Sequence, residues 1–88
     1  MTEMSTEALG LRFDVDKEAL GLRIVIARRR QHVSQKELAN LCKRSQQTIS
    51  AYEMGKRLPR VDMLLIIARI LHVSTDWLIY GKKTEGKA

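Results

Sequence analysis

Residues 34–57 read SQKELANLCKRSQQTISAYEMGKR and carry the signals of two short, closely spaced helices. Ser34 and Glu37 have the spacing of a capping box, in which each side chain bonds a backbone N–H at the start of a helix. Ser45 can cap a second helix, and Gly55 can end it because glycine tolerates left-handed backbone angles. The stretch therefore predicts two helices joined by a tight turn.

Apolar residues at helical spacing predict three further helices, over about residues 17–32, 61–71 and 75–80. Asp16 can cap the first of these helices and Ser74 can cap the last. The inward faces expected for the two longer helices are Leu20, Ile24, Ala27 and Gln31, and Leu64, Ile67, Ala68 and Leu71. The predicted fold class is all-α with five helices.

The N-terminal residues follow a different pattern. Every second residue from Leu9 to Val15 is apolar, which predicts a strand-like extension. The hexapeptide EALGLR occurs at residues 7–12 and again at 18–23. Two copies are too few for a repeat fold, so we interpret them as a local duplication.

The chain has the length of one folded domain. Its 88 residues allow a single compact core, which we expect as an N-terminal extension at 1–15, a helical domain at 16–81 and a polar tail at 82–88. The lone cysteine, Cys42, cannot form an intramolecular disulfide, and no segment is apolar for long enough to cross a bilayer. The acidic N-terminus is unlike a signal peptide, so these features favour the cytoplasm.

Basic side chains are concentrated in the helical part of the sequence. Residues 1–22 carry two basic and five acidic side chains, whereas residues 23–88 carry fourteen basic and five acidic ones. This asymmetry favours a polyanionic partner for the body of the protein. A solvated basic surface that keeps the protein soluble is the alternative, and charge alone does not separate the two.

Residues 21–81 resemble the Cro/repressor-type (XRE) helix-turn-helix family. The matching stretches are SQKELA at 34–39, SQQTISAYEMGKR at 45–57 and IARILHVSTDWL at 67–78. The resemblance implies a five-helix, lambda-repressor-like domain that binds specific double-stranded DNA through its second and third helices.

The resemblance further implies that residues 46–53 form a recognition helix, which enters the major groove with its N-terminus first. Four of its residues are expected to face base edges: Gln46, Gln47, Ser50 and Ala51. A glutamine side chain can pair with adenine N6 and N7, whereas Ala51 offers only an apolar contact, for example to a thymine methyl. Outside the motif, such side chains would be interpreted as a solvated helix surface.

Phosphate contacts are expected around the recognition helix, from Gln35, Lys43, Arg44, Thr48, Lys56 and Arg57. In the family, Gln35 is also expected to brace the first residue of that helix. Lys43 stands where the family's turn has Gly, so a left-handed conformation is expected there. Arg28 and Glu53 are implied to form a structural ion pair between the first and third helices.

Other reactive side chains have structural interpretations. Cys42 stands where the family usually has Leu, which favours a small buried hydrophobe over a redox sensor. His32 and His72 lie at helix ends where the family often has Gly, which favours capping or exposure over a metal site. Trp77 is expected to anchor the last helix in the core. No pattern of a nucleophile with its base, of metal ligands or of a phosphate loop occurs in the sequence, so no enzyme, cofactor or metal is expected.

Two sets of apolar residues lie away from the predicted core faces. They are Leu22, Val25 and Ile26 on the first helix, and Met63, Ile66 and Ile70 on the fourth. Large exposed apolar patches on a soluble protein need a cover. We therefore expect the fourth-helix set to form a homodimer interface, and the segment Leu9–Val15 to cover the first helix or to pair with its symmetry mate.

The sequence as a whole predicts a cytoplasmic, homodimeric transcriptional repressor, nucleoid-associated when bound, that reads an inverted-repeat operator. The second class of function is a DNA-binding antitoxin or co-regulator, in which one apolar patch binds a different protein. A basic amphipathic membrane binder is a distant third, because capped helices with interior faces indicate a folded core.

Overall fold

A computed structural model describes residues 15–81, and within them the chain forms five α-helices. In chain order these are α1 (Lys17–Arg30), α2 (Gln35–Cys42), α3 (Gln46–Glu53), α4 (Val61–Leu71) and α5 (Thr75–Tyr80). The five-helix, all-α prediction is confirmed. The strand-like pattern lies outside the described residues except for Val15, which is half-buried against the core. None of the five helices is both long and apolar enough to span a bilayer.

Side-chain caps mark the starts of four helices. Asp16, Ser34, Ser45 and Ser74 each accept a backbone N–H from the first turn of α1, α2, α3 and α5. At α2 the predicted capping box is complete, since Ser34 Oγ accepts from the Glu37 N–H (3.0 Å) and Glu37 Oε1 accepts from the Ser34 N–H (2.7 Å). The bonds from the Ser34 backbone and hydroxyl lower the pKa of the Glu37 carboxyl. Since one cap contributes about 1 kcal/mol, the sequence fixes these starts locally.

Three helices end at non-glycine residues in the left-handed conformation. These are His32 after α1 (φ 57°), Lys43 after α2 (φ 57°) and His72 after α4 (φ 58°). The prediction for Lys43 is confirmed. Left-handed angles cost a residue with a Cβ about 1 kcal/mol or more, although histidine tolerates them better than most. Each of the three sites therefore gives up stability that glycine would recover.

We expect His72→Gly to raise the free energy of unfolding by about 0.5–1 kcal/mol, because relief of the left-handed strain exceeds the extra entropy of an unfolded glycine. Urea unfolding followed by circular dichroism measures this. His72→Ala is the matched control, since it removes the imidazole and keeps the Cβ, and it should bring no gain. Equal stabilities of the two variants would show that the backbone at this position is unstrained.

α1 is two residues shorter than predicted. The chain leaves the helix at Gln31, and the N–H of Val33 bonds back to the carbonyl of Arg28 (3.0 Å), which the left-handed turn makes possible. The prediction that Gln31 faces inward is wrong, because it caps the helix and is exposed.

The core forms between α1 and α4 and the three shorter helices. α1 contacts α3, α4 and α5, while α2 contacts α3 and α4. The largest fully buried side chains are Leu20, Ile24, Leu38, Ile49, Ile67, Leu71 and Leu78. Met63 is only 2% exposed, so its placement on a dimer surface is wrong. It precedes the buried Ile67 by one helical turn and shares that residue's inward face.

Gly21 lets α1 approach the end of α3. A Cβ at this position would lie 2.5 Å from the carbonyl oxygen of Glu53 and closer still to that of Tyr52. Only a residue without a side chain fits such a contact, so Gly21 fixes the distance between α1 and the helix that is predicted to read DNA.

Arg23 holds the C-terminal end of α5. Its Nη1 donates to the carbonyl oxygens of Leu78 and Ile79, each at 3.0 Å. The second copy of the repeated hexapeptide thus supplies three separate structural parts: Leu20 in the core, Gly21 at the helix contact and Arg23 at the α5 terminus.

Candidate nucleic-acid interface

α3 has a buried side and an outer side. Ile49 and Tyr52 are buried on the inner side. The four predicted base-contacting residues lie outside the core, exposed at Gln46 and Gln47 and half-buried at Ser50 and Ala51. Gln35, at the start of α2, lines an open groove together with Gln46, Gln47 and Ser50. The fold therefore brings the first turns of α2 and α3 together.

The predicted ion pair between Arg28 and Glu53 is present at the other end of α3. Arg28 Nε donates to Glu53 Oε2 at 2.7 Å, and Arg28 Nη2 donates to Glu53 Oε1 at 3.1 Å. The two side chains are only 13% and 5% exposed. A paired carboxylate in this position is a rigid anchor, because separating the pair would leave a charge buried without a partner.

Gln35 extends this pair to the start of α3. Its Nε2 donates to Glu53 Oε1 (3.0 Å), and its Oε1 accepts a hydrogen bond from Gln46 Nε2 (3.2 Å). The predicted bracing of the first α3 residue by Gln35 is confirmed. The sequence did not predict the hydrogen bond between Gln35 and Glu53, because the two residues belong to different helices and share no periodic pattern. A continuous chain of hydrogen bonds runs from Arg28 to Gln46.

Two hydroxyl groups of α3 have partners inside the protein. Thr48 Oγ1 lies 2.9 Å from the hydroxyl of Ser45, and Ser50 Oγ donates to the sulfur of Met54 at 3.4 Å. A hydroxyl has one donor and two acceptor positions, so each keeps capacity for a further bond. The phosphate contact of Thr48 and the base contact of Ser50 stay predictions. Met54 is 57% exposed and adds an apolar side chain that sequence reasoning missed.

Cationic side chains flank α3 at both ends. Lys43 and Arg44 lie in the turn before it, Lys56 and Arg57 follow it, and all four are exposed. Arg60, the exposed residue that precedes α4, adds a fifth cation that sequence reasoning missed. Exposed lysines and arginines on both sides of a polar helix face are the electrostatic pattern of phosphate binding.

Cys42 and Trp77 have structural surroundings. Cys42 is buried, and burial raises the pKa of its thiol, so the predicted small hydrophobe is confirmed. Trp77 is half-buried against the core, and the guanidinium carbon of Arg30 lies 5.6 Å from its ring centroid. The indole thus packs against the core and also makes a cation–π contact with Arg30 of α1.

A helix-turn-helix family model matches residues 24–78, a segment that includes α2, α3 and α4 in full. The chain belongs to the helix-turn-helix family. Its solved structural neighbours include a repressor, as the sequence resemblance implies. This helix-turn-helix protein is accordingly a DNA-binding transcription regulator.

Three solved structures show the likeness. The restriction-modification controller protein C.AhdI from Aeromonas hydrophila is 25% identical, with a TM-score of 0.68 over 73% of this chain and 97% of that one. The P22 c2 repressor, solved with a synthetic operator, is 28% identical, with a TM-score of 0.68 over 72% and 96% of the two chains. SinR, a master regulator for biofilm formation solved with DNA, is 27% identical, with a TM-score of 0.63 over 67% and 95%. A search of curated proteins finds no match to this chain.

Proposed function

We propose that this helix-turn-helix protein is a homodimeric transcriptional repressor that reads an inverted-repeat operator through the first turn of α3. The observation that carries the proposal is the pair of exposed amides at Gln46 and Gln47, of which Gln46 is braced through Gln35 by a buried ion pair. A polar group held in place before binding loses less entropy on binding. P22 c2 and SinR, two of the similar proteins, were solved with DNA, which supports DNA binding by this chain.

The proposed contacts divide into two classes. Base edges are contacted by Gln46, Gln47, Ser50 and Ala51, and backbone phosphates by Gln35, Lys43, Arg44, Thr48, Lys56 and Arg57. The cations before and after α3 would bind phosphates on either side of the groove that the helix enters. Affinity would then come mostly from the cations and sequence preference from the amides.

The outer face of α4 supports a dimer. Leu65 and Ile66 are 55% and 41% exposed at its centre, with Asp62 one turn before them and Arg69 one turn after. A two-fold axis between Leu65 and Ile66 would pair Asp62 of each subunit with Arg69 of the partner subunit. Such a surface is complementary to itself, as a two-fold interface requires.

This surface differs from the one that the sequence predicts. Of the predicted seam residues, Ile66 is exposed, Ile70 is half-buried against the core and Met63 is buried. Val61, 73% exposed at the start of α4, lies one helical turn before Leu65 and adds to its apolar face. We therefore propose that the homodimer interface, or seam, lies on the face of α4 that holds Leu65 and Ile66.

Gln47→Ala and Arg57→Ala should affect DNA binding in different ways. Loss of the amide should weaken binding to the preferred operator by about 1–3 kcal/mol and leave binding to random DNA nearly unchanged. Loss of the cation should weaken both, and make the slope of log K against log salt concentration shallower by about 0.9. Titrations of operator and random duplexes at several salt concentrations measure both effects, after operators are selected from a random pool. Equal losses on both duplexes for Gln47→Ala would overturn the base-reading role.

An antitoxin or co-regulator is the second candidate, and one observation favours it. Leu22 and Ile26 are 59% and 37% exposed on α1, which gives the protein exposed apolar side chains on a second helix besides α4. A partner protein could cover those side chains while α3 binds DNA. Co-purification from the native host separates the two functions. A stoichiometric second chain would favour the antitoxin or co-regulator, whereas a homodimer without a partner would favour the repressor.

A further inference from the structure

Glu53 is held by more donors than its ion pair requires. Its two carboxylate oxygens receive Arg28 Nε, Arg28 Nη2 and Gln35 Nε2, at 2.7, 3.1 and 3.0 Å. A carboxylate paired with a guanidinium can only accept hydrogen bonds. Gln35 must therefore turn its amino group toward Glu53, and its carbonyl oxygen is the atom left to face α3.

The orientation of Gln35 fixes that of Gln46 in turn. Gln35 Oε1 can only accept, and it accepts from Gln46 Nε2 at 3.2 Å. One N–H of Gln46 is thereby occupied, and the amide is left with its oxygen and one N–H for other partners. The direction of both hydrogen bonds originates at Glu53, 5% exposed and at the far end of the same helix.

We infer that Glu53 is a positioning residue that makes Gln46 select adenine over guanine. The inference rests on the proposed function, in which Gln46 meets a base edge in the major groove. Adenine presents an amino donor at N6 and an acceptor at N7, which match the free oxygen and the free N–H of Gln46. Guanine presents two acceptors, O6 and N7, and would need both N–H groups of an amide that has only one to give.

Gln47 provides an internal contrast. It is exposed beside Gln46, and it has no side-chain hydrogen bond within residues 15–81 that would fix its amide. Its amide can rotate to present either an acceptor with a donor or two donors. The base that faces Gln47 should therefore tolerate exchange of adenine for guanine better than the base that faces Gln46.

The test compares wild type, Glu53→Gln and Gln35→Met on operators selected from a random pool, with each position then exchanged between A·T and G·C. Wild type should prefer adenine by about tenfold or more at one position per half-site. Glu53→Gln introduces an amide that can donate to Gln35, so both bonds can reverse and Gln46 can offer two donors. The preference at that position should fall to within about threefold, while preferences elsewhere stay unchanged.

Gln35→Met keeps the test valid if Glu53→Gln fails to fold, because it preserves the Arg28–Glu53 pair and removes the relay, the two hydrogen bonds that join Glu53 to Gln35 and Gln35 to Gln46. The proposed phosphate contact of Gln35 is lost as well, which should weaken binding to all sequences alike and leave base preferences unaffected. Gln35→Met should relax the same position by a similar factor. Gln47→Ala is the matched control and should leave the adenine preference at that position intact. A wild type that selects no sequence would defeat the proposed function itself. A wild type that selects an operator, with an adenine preference unchanged in both relay variants, would overturn this inference alone.

Discussion

Leu65→Lys combined with Ile66→Lys is expected to give a folded, helical monomer whose operator affinity is lower by about a hundredfold or more. Both side chains are exposed, at 55% and 41%, and neither belongs to the core, so lysine can reach solvent at either position. In a dimer, binding of one half-site raises the effective concentration of the second α3 at the other, which increases affinity by a factor of about 10²–10⁴. Sedimentation equilibrium measures the mass, and titration of selected operator DNA measures the affinity.

A charge exchange serves as the control for this prediction. Asp62→Arg alone would oppose Arg69 of the partner subunit and weaken the dimer, whereas Asp62→Arg with Arg69→Asp would restore the pairing with its signs reversed. Recovery of the dimer in the double exchange is specific to an antiparallel α4 seam. A lysine double variant that is still a dimer would move the seam elsewhere, with Leu22, Val25 and Ile26 of α1 as the next candidates.

Local signals account for the parts of the fold that the sequence predicts correctly. The bounds of α3 agree with the prediction at both ends, because Ser45 caps its start and Gly55 lies just beyond its end in the left-handed conformation. At the end of α1, where the predicted helix is two residues too long, no such signal marks the boundary. Nothing in the spacing of apolar residues reveals that His32 takes a left-handed angle and ends the helix early.

The faces of α4 are harder to assign for a physical reason. Its sequence, VDMLLIIARIL, is apolar on nearly all sides, so periodicity cannot separate the residues that face the core from those that face a partner. Ile66 is placed correctly on the outer face by the sequence. Met63 is placed there wrongly, and Leu65, which is more exposed than Ile66, is missed.

The candidate site combines a predictable part with an unpredictable one. The family resemblance places Gln46 and Gln47 on α3 and pairs Arg28 with Glu53, and the structure contains that pair. The bond from Gln35 to Glu53 joins residues 18 positions apart on different helices, and only packed helices bring them together. The direction of the hydrogen bonds from Gln46 to Gln35 and from Gln35 to Glu53 therefore depends on the fold and cannot be predicted from the sequence pattern.

Gly21→Ala is expected to lower the free energy of unfolding by about 3 kcal/mol, which lowers the midpoint of thermal unfolding by roughly 12–24 °C for a domain of this size. Helix propensity alone predicts the opposite, a gain of about 0.5–1 kcal/mol when alanine replaces a helical glycine. The contact of residue 21 with the end of α3 decides whether the substitution stabilises or destabilises the fold. The new Cβ would meet the backbone carbonyl oxygens of Tyr52 and Glu53, and backbone atoms cannot rotate away as a flexible side chain can.

The same substitution should also displace the DNA-binding residues of α3. Relief of the clash requires α1 and α3 to separate, and α3 carries both Glu53 and Gln46. Thermal and urea unfolding measure the stability, with Lys36→Ala as the control because it places alanine at an exposed helical position and should change stability by less than about 0.5 kcal/mol. A Gly21→Ala variant as stable as wild type would mean that α1 and α3 can move apart at little cost. The spacing of these two helices would then not depend on the absence of a side chain at residue 21.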